Sequence, residues 1–153
     1  MRTVLFICTG NTCRSPLAEG IARDLLARGA VDGLEEGIFV ASAGVLAADG
    51  VPISIESAEA LERRGIAAEG TSKRLTSEMI DRADLVLGMT SSHVEAARRM
   101  ANPEGGTIID RVDPDGDIED PIGMGQDVYD RVADRLERVL PDRLRALLVV
   151  QDG

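Results

Sequence analysis

Val4-Leu5-Phe6-Ile7-Cys8-Thr9-Gly10-Asn11-Thr12-Cys13-Arg14-Ser15-Pro16 is the stretch that decides how the chain folds. It opens as a short, wholly apolar run of branched and aromatic side chains, the pattern of a buried strand. It closes on Ser15-Pro16, a good helix N-cap followed by proline at the first helical position, where a missing N–H costs nothing. Between strand and helix runs a loop from Cys8 to Arg14. A loop entering a helix N-terminus presents free backbone N–H groups and the positive end of the helix dipole, so it favours an anion. The same field draws Cys8 towards its thiolate form. Gly10 and Asn11 tolerate the left-handed backbone that a tight loop demands. A nucleophile at the floor of an anion site, with Arg14 on its rim, points to phosphoryl transfer to cysteine.

The rest of the chain alternates apolar runs with helical patterns. Leu17, Ala18, Ile21, Ala22 and Leu25 form a helical stripe, predicting a helix from Pro16 to Arg28 that stops near Gly29. Phe39-Val40-Ala41 reads as a second strand. Pro52 opens a helix with Ile55, Ala58 and Leu61 inward and Gly65 as its stop. Thr71 to Leu75 is loop-like, and Thr76 caps a short helix through Arg82. Leu85 to Met89 is a third strand, Thr90 to Met100 a helix and Thr107-Ile108-Ile109 a fourth strand. Asp110 to Gly125 is a long acidic loop, of the length that carries function. A last helix sets Tyr129, Val132, Leu136, Val139, Leu140, Leu144 and Leu147 on one face, with Pro141 expected to kink or break it. The pattern predicts an α/β fold, a single domain over 1–153. Its doubly wound sheet would hold about four parallel strands with helices on both faces. The site then lies at the carboxyl ends of the strands.

Composition narrows the function. The 153 residues carry a formal charge of −10, which argues against nucleic acid as a partner. No apolar run reaches the roughly 20 residues of a membrane span, and the start is too short for a signal peptide. One histidine and two cysteines are too few for a zinc site. The run from Asp113 to Asp117 has its glycine misplaced for a calcium loop, and Met124 stands where that loop needs glutamate. No metal and no cofactor are expected. Two cysteines five residues apart cannot staple a secreted fold, so a soluble cytoplasmic protein is expected.

Cys8-Thr-Gly-Asn-Thr-Cys-Arg-Ser-Pro-Leu-Ala-Glu19 resembles the signature of the low-molecular-weight protein phosphatases, the phosphotyrosine phosphatase I family. The likeness continues through Ser42-Ala43-Gly44, Ala83 to Met89 and Asp120-Pro121, in family order. The loop is most similar to that of the protein arginine phosphatases.

In this chemistry Cys8 attacks phosphorus and Arg14 grips two phosphoryl oxygens through its planar fork. The amides from Thr9 through Gly10, Asn11, Thr12 and Cys13 to Arg14 bind the rest. Ser15 supports the thiolate. Asn11 holds the loop in shape, with Ser42 as the partner the resemblance implies. The leaving group needs a proton, and His93 reads as a surface or structural residue. A carboxylic acid must serve. The residues leave Asp113-Pro114 and Asp120-Pro121 both open; the resemblance selects Asp120. The remaining loop acids read as a solvated face. Cys13 is either a packing residue or, as the resemblance implies, a redox partner protecting Cys8.

Thr12 occupies the wall position that is a larger aliphatic residue in phosphotyrosine enzymes and threonine in phosphoarginine enzymes, so the resemblance leans towards phosphoarginine. Ile122 departs from both groups, which place an aromatic residue beside the substrate there, and Leu46 also lacks a ring; a cleft without aromatic walls is a poorer stacking surface for phosphotyrosine. Phosphorylated proteins are the expected partners of a monomer or weak homo-oligomer. Three alternatives stay open: a phosphotyrosine phosphatase of the same family, a thiol-coupled arsenate reductase, and a non-catalytic phosphate-binding module.

Overall fold

The computed structural model describes residues 2–34 and 37–149. Four parallel strands, β1 (Arg2–Cys8), β2 (Ile38–Gly44), β3 (Leu85–Gly88) and β4 (Ile108–Arg111), form one sheet in the order β2-β1-β3-β4. Around it lie α1 (Arg14–Ala27), α2 (Ile55–Glu62), α3 (Ser77–Arg82), α4 (Ser91–Met100) and α5 (Gln126–Leu144). Alternation along β1 divides the core. Val4, Phe6 and Cys8 pack on one face with α1 and α5, while Leu5 and Ile7 pack on the other with Ile80 and Ala97. The α/β class, the parallel sheet and helices on both faces are as expected. The chain leaves β1 in opposite directions for β2 and for β3, so the carboxyl end of β1 is a topological switch point.

Several boundaries differ from the expectation, each for a local reason. β2 runs on through Ser42-Ala43-Gly44, because β1 pairs with it up to Cys8. α2 begins at Ile55, capped by Ser54, whose hydroxyl accepts from the Ser57 N–H at 3.2 Å. As the first helical residue, Ile55 points outward and is 83% exposed, and Ala58 is half-buried; Leu61 is buried as expected, together with Ser57 and Ala60. Thr76 caps α3 and Thr90 caps α4, so α4 starts one residue later than predicted. β4 extends to Arg111, which takes Asp110 and Arg111 out of the acidic loop.

Pro141 does not break α5. The helix continues through it, and the irregularity follows as a wider π turn over Arg145–Val149. Leu140 and Leu144 on either side are fully buried, and that anchoring outweighs one missing backbone bond. Leu148 is buried beyond them, with Leu147 half-buried against the core. Among the described residues, no helix is long and apolar enough to cross a membrane.

Candidate active site

The loop after β1 is held by its carbonyls. Those of Cys8, Thr9 and Thr12 each accept at 2.9 Å from the N–H of Val45, Leu46 and Ser54, and that of Cys13 accepts from the Ser57 hydroxyl at 3.2 Å. All four donors lie outside the loop, in the segment from β2 to α2. Gly44 makes this possible: a Cβ there would stand 2.6 Å from the Thr9 carbonyl oxygen and 2.9 Å from the Asn11 nitrogen. The glycine is required by close approach, and the sequence reading assigned it no such part.

Asn11 is the other fixed point. It adopts φ of 57°, and among the described residues no other non-glycine has positive φ. Its amide donates to Ser15 Oγ and to Ser42 Oγ, both at 2.9 Å, and its Oδ1 accepts from the Lys73 N–H at 2.9 Å. Three bonds from one buried side chain repay the left-handed backbone. Ser42 is thus the expected partner of Asn11. Gly10 does not share the left-handed conformation and lies open at the surface.

Ser15 is not the helix cap. α1 starts at Arg14 with Cys13 in the cap position and no capping side chain. The Ser15 hydroxyl is buried, 2.9 Å from Cys8 Sγ, and accepts from Asn11. Pro16 falls within the first turn, where its lack of an N–H is still free of cost. Arg14 is only 5% exposed, its Nη1 donating to the Ile118 carbonyl at 2.9 Å. Its Nη2 lies 3.9 Å from Asp120 Oδ2. Cys8, Thr9, Gly10, Thr12, Cys13, Arg14, Asp120 and Ile122 line one small cleft. Leu46 is attached through its N–H to Thr9 but stands 74% exposed and outside that wall.

The two Asp-Pro pairs have different environments. Asp113 is buried against Arg135, whose Nε and Nη2 each approach Oδ2 to 2.9 Å, and it accepts from the Asp115 N–H. Burial opposes its charge, yet that N–H and the Arg135 guanidinium together hold its carboxyl below the usual range. Asp120 is half exposed beside Arg14, its Oδ1 accepting from the Ile122 N–H at 3.1 Å. The other acids are not simply a solvated face. Asp117 accepts from the Ser91 N–H at the start of α4, which keeps its carboxyl low with help from Arg111.

Cys8 and Cys13 are both free thiols. Cys13 turns to α5, its Sγ 3.5 Å from the Tyr129 hydroxyl. Burial and the Cys13 contact push the Tyr129 phenol above its ordinary range.

His93 is structural but not at the surface. It is buried between the end of β3 and the phosphate loop, with Nε2 2.9 Å from Thr9 Oγ1 and Nδ1 3.0 Å from Thr90 Oγ1. Burial, then repulsion from Arg14, pushes it down to about 4, against the weaker pull of Asp117 and Asp120. Its neutral imidazole therefore reaches the loop that the sequence reading kept it away from. The signal was its place just past the carboxyl end of a strand neighbouring β1.

A buried thiol beneath a pinned anion loop, with a guanidinium and an exposed carboxylate at the mouth, is equipped for phosphoryl transfer through cysteine. Known proteins agree. The chain belongs to the low molecular weight phosphotyrosine protein phosphatase family, whose model matches residues 3–149, and is a phosphatase of that class. A protein-arginine-phosphatase of Geobacillus stearothermophilus is 40% identical over 145 residues, 92% of each chain. One from Bacillus subtilis (strain 168) is 36% identical, covering 90% of this chain and 91% of its own. The low molecular weight protein-tyrosine-phosphatase PtpB of Staphylococcus epidermidis is 33% identical, over 84% of this chain and 86% of its own. Among solved structures, a low molecular weight protein tyrosine phosphatase from T. tengcongensis superposes with a TM-score of 0.81 at 38% identity, covering 97% of this chain and all of that one. A mutant of the YwlE arginine phosphatase, bearing a phosphorylated active-site serine, superposes with a TM-score of 0.77 at 31% identity, over 95% of this chain and 99% of its own.

Proposed function

We propose that the chain is a protein phosphatase acting on phosphoarginine, with Cys8, Arg14 and Asp120 as its catalytic residues. The observation that carries the substrate reading is the cleft wall: Thr12 lines it with a hydroxyl, and no aromatic side chain is among its lining residues. A guanidinium is rich in N–H donors and needs polar neighbours, whereas a phenyl ring gains most from aromatic or broad apolar walls. Relatives named protein-arginine-phosphatase at 36% and 40% identity support the same reading.

The Cys8 thiolate attacks phosphorus in line, the P–N bond breaks, and Asp120 protonates the departing guanidine nitrogen. Arg14 and the amides from Thr9 to Arg14 hold the phosphoryl oxygens as negative charge spreads over them. Asp120, now a carboxylate, takes a proton from water as the water attacks the phosphocysteine. The P–S bond breaks, phosphate leaves, and the Ser15 hydroxyl stabilises the returning thiolate. Arginine-phosphorylated proteins are the substrates, and the free thiols at Cys8 and Cys13 suit a reducing, cytoplasmic setting.

The second reading is a phosphotyrosine phosphatase, favoured by relatives such as PtpB. Phosphate release from matched phosphoarginine and phosphotyrosine peptides, with Cys8→Ser as the blank, separates the two. The expected result is a preference for phosphoarginine of at least about tenfold, on the order of 1.4 kcal/mol in the transition state. A preference for phosphotyrosine overturns the substrate reading. Turnover that survives Cys8→Ser overturns the mechanism.

A further inference from the structure

The tyrosine-free cleft wall has a second hydroxyl, one fixed from behind. Thr9 is exposed at the cleft, yet its Oγ1 lies 2.9 Å from Nε2 of the buried His93. On the far side of the ring, Nδ1 lies 3.0 Å from Thr90 Oγ1. Thr90 Oγ1 also accepts from the His93 backbone N–H at 3.3 Å and lies 3.0 Å from Ser92 Oγ. The contacts fit either imidazole tautomer, because each hydroxyl can donate or accept. In the tautomer protonated at Nδ1 every member is satisfied with the Thr9 proton engaged. Nδ1–H donates to Thr90, which spends both lone pairs on His93 and gives its own proton to Ser92. Nε2 then accepts the proton of the Thr9 hydroxyl. A hydroxyl whose proton is committed to an imidazole can only accept from other partners.

We propose that His93 carries its proton on Nδ1 and thereby acts as a positioning residue that keeps Thr9 an acceptor, and that Thr9 is a specificity-determining residue whose oxygen accepts an N–H of the phosphorylated guanidinium. This rests on the phosphoarginine reading above. The imidazole stays neutral through the physiological range because burial and Arg14 disfavour its proton, so the arrangement persists there. The guanidinium carries only donors, and a wall oxygen held as an acceptor pairs with it. A phosphotyrosine ring offers that oxygen nothing, and the pairing therefore discriminates between them.

The test is Thr9→Val, which keeps the shape at an exposed position, measured on the matched phosphoarginine and phosphotyrosine peptides. We expect the ratio of kcat/KM on phosphoarginine to that on phosphotyrosine to fall at least about tenfold. His93→Leu should lower the same ratio, and adding it to Thr9→Val should lower it no further, because it acts through Thr9. His93→Gln, which retains an amide acceptor, should restore part of the loss. Equal losses on both peptides, or no loss on either, overturn the inference while leaving wild-type phosphoarginine turnover intact. Absence of wild-type phosphoarginine turnover overturns the substrate reading and this inference with it.

Discussion

Asp113-Pro114 and Asp120-Pro121 are the same dipeptide, seven residues apart in the sequence, and they stand in different environments. Asp113 is 6% exposed and clasped by Arg135 of α5, so it ties the loop to the last helix. Asp120 is half exposed and stands beside Arg14 with one oxygen engaged by the Ile122 N–H. A carboxylate that must give and take protons needs access to substrate and water; one that anchors a loop needs a partner that never lets go. Residue type alone does not separate them. Burial and the partner do.

That contrast can be broken by exchanging the two acids' losses. Asp120→Asn should lower kcat on phosphoarginine by about 10²–10⁴-fold, the usual contribution of a positioned general acid. Its thermal stability should stay close to wild type. Asp113→Asn should do the reverse. It should destabilise the fold by about 2 kcal/mol, less than a fully buried pair because Arg135 is partly exposed, with near-normal kcat per folded molecule. A steady-state assay paired with denaturant unfolding reads both axes. If Asp113→Asn is the variant that loses kcat at normal stability, the assignment of roles is reversed.

The smallest effect is the pH dependence of the Asp113 loss. Its carboxyl is held below the unfolded value of 3.8, so the unfolded chain takes up the proton first as the pH falls. The stability it contributes is therefore complete above that value and drains away as the pH drops through the folded pKa. The stability gap between wild type and Asp113→Asn should be constant near neutrality and narrow below about pH 4. A gap that widens on acidification would contradict the pairing with Arg135.

The phosphate loop was legible from the sequence because the signals that place it are local, although the contacts that hold it are not. An apolar strand, a glycine and asparagine turn, and a helix entry follow one another without a break. The parallel sheet was legible from its apolar runs for the same reason. What escaped was set by packing that the local pattern does not carry. Ser15 meets Cys8 as expected but is not the N-cap that its local context suggests, because the helix begins one residue earlier and its hydroxyl is shared between Cys8 and Asn11. Ile55 fits the helical stripe but falls on the first residue after the cap, before the helix turns its face inward. Gly44 matters only because the Thr9 carbonyl passes 2.6 Å from its missing Cβ. His93 looks isolated until the sheet order sets β3 against β1 and brings its imidazole to Thr9. Pro141 predicts a break from local sterics, and buried leucines on both sides override it.

The central claim is that phosphate passes through Cys8. The direct measurement is to quench Asp120→Asn during turnover of a substrate with a good leaving group and locate the phosphoryl group by mass mapping. Without its carboxylate to activate water, the second step should slow more than the first. The account predicts a phosphoryl group on the peptide containing Cys8, absent from the Cys8→Ala control, which should also be inactive. Steady turnover by Cys8→Ala, with no phosphorylated Cys8 peptide in Asp120→Asn, would contradict it.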